Sequence, residues 1–199
     1  MLGMKELNDP KKYTEFVNYV LNGLDRGKTR IIAGIGTWDS INFISSLATD
    51  TTLDALDIHI YPVTGDNFSK AVAIADIAAQ YKKGLVLDEC WLYKVDKLSG
   101  NGVAAAPEIF RRDSFSFWQP LDQQFLAAMV KFSRLYRVEY LSPFWTNFFY
   151  GNLDYTSDLA NLPYSRIAEE ANRIAAQNLL LGKPSATGEF YRKLVQENR

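Results

Sequence analysis

The chain has 199 residues, 47% of them hydrophobic and 23% charged, with a formal net charge of −1 at pH 7. That length is enough to bury a core in one domain, and the near-neutral charge leaves no electrostatic footprint for nucleic acid or an acidic membrane surface. A single cysteine, Cys90, excludes an intramolecular disulfide, and neither a transmembrane helix nor the apolar core of a signal peptide can be read from the chain.

In chain order, Asn8-Asp9-Pro10 reads as a helix start: a capping side chain followed by proline in the first turn. Tyr13, Phe16, Val17, Val20, Leu21 and Leu24 then recur at helical spacing, and the helix is expected to end near Gly27. RIIAGIG (30–36) is a short apolar strand, followed by a helix over 39–48. LDALDIHIYP (53–62) reads as a second strand, 67–83 as an Ala/Ile-rich helix, and GLVLDEC (84–90) as a third strand. An irregular stretch, 91–119, precedes a helix from Pro120 to about Arg137 and a fourth strand, VEYLSPFW (138–145). A loop to about Pro163 leads to a helix over 164–181 and a last one over 188–197.

Strands that alternate with helices imply parallel pairing through right-handed crossovers. Their continuous apolar runs suit a sheet covered on both faces. The class is therefore α/β, as one domain over 1–199. The turn GIGTWDS lacks the third glycine and the acidic partner of a dinucleotide fingerprint, which argues against a Rossmann site.

In such folds ligands gather at the C-terminal ends of the strands. The first strand ends in Trp38 and Asp39, the second in His59 and Tyr61, the third in Asp88, Glu89 and Trp91, and the fourth in Trp145 and Asn147. Each residue alone has an ordinary structural explanation: a satisfied histidine, a capping carboxylate, a packed indole. Their convergence on one rim from separate parts of the chain is what favours function. Glu89 follows Leu85, Val86 and Leu87, where burial raises a carboxyl's pKa unless neighbours stabilise its charge. His59 and Tyr61 are the expected neighbours, orienting Glu89 and tuning its protonation. Asp88 points to the other face of a regular strand and is assigned a structural role. Asp57 shares the phase of His59 but lies deeper, as a buried partner of some core group.

LDIHIYP, GLVLDECWL and YLSPFWTN resemble strands six, seven and eight of clan A glycoside hydrolases, the retaining (βα)8-barrel (TIM-barrel) enzymes that include cellulases, β-mannanases and β-galactosidases. SFSFWQPLDQQFL (114–126) resembles their long seventh loop and the helix after it. The resemblance implies His59 and Tyr61 as the pair on strand six, Glu89 as the catalytic nucleophile and Trp145 as the floor of a sugar subsite. It implies a carbohydrate partner and no cofactor. Trp38, Trp91 and Trp118 are further candidate platforms for the apolar C–H faces of sugars, with Asn147 beside them.

The resemblance covers about residues 10–182, as strands five to eight only. A complete barrel takes about 250 residues, and four strands are legible. The acid/base glutamate of the clan ends strand four, usually after asparagine, and no Asn-Glu pair precedes the first helix; Glu6 and Glu108 are the only loose candidates, and neither ends a strand. The expectation is half of a retaining glycosidase, with little activity alone. Its partner is expected to be a second copy or the missing N-terminal half. A second reading, from another class, is a non-catalytic carbohydrate-binding or scaffold module. A third is a metal-dependent hydrolase using Asp57, His59 and Glu89, although one histidine is meagre for zinc.

Overall fold

The computed structural model describes residues 9–62, 67–94 and 113–198. They group into two compact units whose segments interleave along the chain: residues 9–60, 67–89 and 133–142 in the first, and 61–62, 90–94, 113–132 and 143–198 in the second. Among the described residues, no helix is long and apolar enough to cross a membrane.

The first unit opens with α1 (Pro10–Gly23). Its N-cap is Asp9, whose carboxylate accepts from the backbone N–H groups of Lys11 (2.9 Å) and Lys12 (3.2 Å), while Pro10 occupies the first turn. The helix stops a turn before Gly27, because Leu24 turns to extended backbone and Gly27 takes a left-handed φ of +50° in the following turn. Then come β1 (Ile32–Gly36), α2 (Ile41–Asp50), β2 (Ala55–Ile60), α3 (Asn67–Gln80), β3 (Gly84–Cys90) and β4 (Tyr140–Pro143). Ser40 caps α2 by accepting from Phe43 N–H.

The strands form one parallel sheet in the order β1-β2-β3-β4. Ile32 lies opposite Ala55 and Gly36 opposite His59. The α/β class expected from the sequence is the one observed. β2 is buried along nearly its whole length. Ile35, Leu56, Ile58, Ile60 and Leu87 from the strands form the core with Ile44, Leu47 and Ile74 from the helices. At the N-terminal end of the sheet the Arg30 guanidinium grips both carboxylate oxygens of Glu139. The pair crosses Gly84, where a Cβ would lie 2.3 Å from Glu139 Oε1 and 2.5 Å from Arg30 Nη2.

The second unit is mainly helical: a 3₁₀ turn (Ser116–Trp118) runs into α4 (Gln119–Leu135), and another (Thr146–Phe149) precedes α5 (Ser157–Ala160), α6 (Tyr164–Leu180) and α7 (Ala186–Glu197). A parallel bridge joins Phe115 to Leu153. One aromatic core holds Tyr61, Trp91, Leu126 and Phe148; a second apolar cluster holds Phe115, Leu153, Ile167 and Ala171. Gly188 packs directly on the backbone of Phe149, and Ser185 Oγ both accepts from Gly188 N–H and donates to Phe148 O.

Against the aromatic core sits a charge cluster with almost no exposure to solvent. Lys94 Nζ pairs with Asp113 (3.0 Å) and Asp122 (2.5 Å) and stands 5.4 Å over the Trp91 ring. Burial pushes the Asp113 carboxyl up to about 6, against the pull of Lys94. The Trp91 indole N–H lies toward Asp113 at a geometry short of a full hydrogen bond.

Candidate functional site

The C-terminal ends of β1, β2 and β3 place five residues of the first unit in one group, centred on an imidazole. His59, the only histidine, is half-buried near the end of β2. Its Nε2 lies 3.2 Å from Asp57 Oδ2 and 3.2 Å from Asp88 Oδ1, and its Nδ1 lies 3.4 Å from Glu89 Oε2. Asp57, two residues earlier on the same face of β2, is only 4% exposed. Its second oxygen, Oδ1, accepts from Asp88 N–H at 3.1 Å.

Trp38 completes the group from the turn after β1. Its ring meets the imidazole edge-on, with centroids 6.3 Å apart, and it is 57% exposed. Two features hold that turn: Gly36 N–H donates to Asp39 Oδ2 (2.7 Å), and Gly36 has no Cβ, which would lie 2.0 Å from the Trp38 ring. Thr37 N–H donates to His59 O (3.1 Å), tying the turn to the end of β2.

The charges are strongly coupled. The hydrogen bond to Asp57 raises the pKa of His59 above its usual value, partial burial opposes this, and the carboxylates of Asp57, Glu89 and Asp88 add to the rise. Burial would raise Asp57, but hydrogen bonds from His59 and from the side chain and backbone of Asp88 outweigh it and hold it below the ordinary aspartate value. Asp88 is pushed up to about 6, by burial first and then by its hydrogen bond and repulsion with Asp57. His59 and Asp88 thus hold a proton to higher pH than usual, whereas Asp57 gives its proton up more readily.

His59, Glu89 and Trp38, all expected at the rim, come together. Asp88, expected on the other face of β3 in a structural role, also reaches the imidazole. The imidazole bridges neighbouring residues of β3, presenting Nε2 to Asp88 and Nδ1 to Glu89, so the strict alternation of faces does not separate them here. Asp57 is the buried partner expected, and the group it serves is His59.

The remaining candidates lie in the second unit. Tyr61 stacks on Tyr93 with centroids 4.8 Å apart and meets Phe144 edge-on. Trp91 is 1% exposed and packs against Phe148 and Phe149, so its faces are core surface rather than a sugar platform. Trp145 is half-buried and packs edge-on against Phe144. Asn147 Nδ2 donates to Asn172 Oδ1 (3.0 Å), and with Trp145, Ser114 and Tyr164 it borders a pocket of about 40 Å³, room for a few waters. Trp118 packs on the Phe115 cluster. Glu6 and Glu108 fall outside the described residues. Lys94, Asp113 and Asp122 carry no sequence signal that would have singled them out.

No protein-family model, curated protein or solved structure matches the chain.

Proposed function

We propose that the chain is the C-terminal half of a retaining (βα)8-barrel glycoside hydrolase acting on a β-linked glycan or glycoside, with Glu89 as nucleophile. One observation carries this: the Glu89 carboxylate stands at the C-terminal end of a parallel strand, 3.4 Å from the Nδ1 of His59, whose ring an exposed tryptophan meets edge-on. A retaining mechanism needs a positioned carboxylate to attack the anomeric carbon, forming a glycosyl ester that water then cleaves. His59 orients Glu89 and offsets its charge, and Trp38 presents an apolar ring to the C–H face of a sugar.

The four strands correspond to strands five to eight of an eight-stranded barrel. Among the described residues, β1 and β4 are the edges of the sheet, and these are where the other half barrel or a second copy would pair. The acid/base carboxylate would come from that half. Without it, turnover of unactivated glycosides falls by about 10²–10⁴-fold.

Glycosyl fluorides test the nucleophile separately, because fluoride leaves without protonation. The chain is incubated with the 2-deoxy-2-fluoro β-glycosyl fluorides of glucose, mannose and galactose, and peptides are mapped by mass spectrometry. At least one sugar is expected on Glu89 and none on the Glu89→Gln variant. No adduct with any of the three, or an adduct elsewhere, rules the assignment out. Sedimentation of the chain is expected to give a dimer or larger species, and a well-folded monomer would count against the half barrel.

A further inference from the structure

We propose that Asp57, His59 and Asp88 form a site for a divalent transition-metal ion, with His59 Nε2 and one oxygen of each aspartate as the protein ligands. The inference stands on geometry and does not depend on the glycosidase reading.

Nε2 has two carboxylate oxygens at the same distance, 3.2 Å from each. A ring nitrogen carries at most one proton. When Nε2 carries it, that proton can serve one of the two, and Asp57 Oδ2 lies in hydrogen-bonding geometry with Nε2. Asp88 Oδ1 is sealed from solvent and, among the described residues, accepts no hydrogen bond. A cation in place of the proton would serve both carboxylates at once. The three donor atoms all lie within 4.8 Å of one another. Ligand atoms held about 2.0–2.2 Å from an ion at tetrahedral angles lie about 3.4 Å apart, close to the two measured spacings.

The surroundings match what a metal-bound histidine requires. Its other ring nitrogen usually faces a carboxylate that fixes the tautomer, and here Nδ1 faces Glu89. Asp57 is itself held by Asp88 N–H through the oxygen that does not face Nε2. β1 leaves the space beside the donors open: Gly34 lies there, and a Cβ on it would sit 3.2 Å from Nε2 and 3.7 Å from Asp57 Oδ2. The Asp88 side chain is partly exposed, which keeps a coordination position accessible to water or substrate. One imidazole nitrogen with two carboxylate oxygens suits Zn²⁺ or Mn²⁺ better than the all-oxygen sets of Ca²⁺ and Mg²⁺.

Because His59 is the only histidine, its ring nitrogens give a unique signal. The tag-free, chelator-treated full chain, labelled with ¹⁵N, is titrated with Zn²⁺ and followed by long-range ¹H–¹⁵N correlation. The Nε2 resonance is expected to move and saturate at one equivalent, with the backbone fingerprint otherwise retained. Asp88→Asn is expected to weaken binding by about tenfold or more, the scale on which even outer partners of a metal ligand act. Gly34→Ala keeps every ligand, fills the cradle and is expected to weaken binding as well. An Nε2 resonance unmoved by excess Zn²⁺ overturns the proposal. So does Zn²⁺ binding of parental affinity in a folded Asp88→Asn variant. Metal binding and fluoro-sugar labelling of Glu89 are read by different signals, so either idea can fail alone.

Discussion

Replacing Asp113 by asparagine should change how stability depends on pH more than it changes stability itself. Asp113 has no exposure, and burial raises its pKa from the ordinary 3.8 to about 6 even with Lys94 at 3.0 Å. Below pH 3.8 the folded and unfolded chains are both protonated there, and the group has no effect on the slope. As pH rises to about 6 the unfolded chain releases the proton while the folded chain keeps it, so stability falls over that window and levels off above it. A rise of about two units corresponds to about 3 kcal/mol. Asp122 shifts in the same direction for the same first cause, burial, and adds to the fall. The asparagine side chain cannot titrate, and Lys94 keeps Asp122 as its partner in that variant. Urea unfolding followed by tryptophan fluorescence, in half-unit steps from about pH 4 to about 7.5, should show wild type losing about 2–3 kcal/mol relative to Asp113→Asn. Parallel curves, or wild type gaining on the variant as pH rises, would refute the reasoning: the ion pair with Lys94 would then outweigh burial.

Two glycines give further tests. At Gly188 a Cβ would lie 2.1 Å from Phe149 O and 2.9 Å from its carbonyl carbon, backbone atoms that cannot rotate aside. Gly188→Ala should therefore cost about 1–3 kcal/mol through displacement of α7, lowering Tm by several degrees in a calorimetric scan, and an unchanged Tm would show that the helix shifts freely. Gly36→Ala puts its Cβ inside the Trp38 ring and should drive that ring off the imidazole. Its expected signature is weaker binding of cello-, manno- or galacto-oligosaccharides with an unchanged far-ultraviolet circular dichroism spectrum; parental affinity would remove Trp38 from the sugar-binding role.

Some of this was legible in the residues and some was not, and the division has a physical cause. The bounds of β3 follow from the sequence because a two-lysine turn gives way to Gly84 and a run of aliphatic residues that ends at a charged pair. β4 is shorter than the sequence pattern predicts, Tyr140–Pro143 rather than 138–145, because aromatic residues that favour strands continue past a proline toward a 3₁₀ turn. The cluster at the strand ends was legible by residue type: a histidine, a carboxylate and a tryptophan are uncommon endings for buried strands. Its internal wiring was not. Assigning Asp88 to the far side of β3 followed from the two-residue period, which describes where Cβ atoms point. An imidazole is wide enough to present one nitrogen to each of two successive residues, and no pattern of polar and apolar letters encodes that reach. Trp91 and Lys94 show the complementary limit. Both sit in a stretch whose composition reads as loop, yet both are buried, because a lysine between two aspartates under an indole face becomes tolerable only once residues 19 and 28 positions away arrive beside it. Residue type at the end of a strand announces chemistry, whereas the charge state of a site depends on distances of about 3 Å between segments that only the fold brings together.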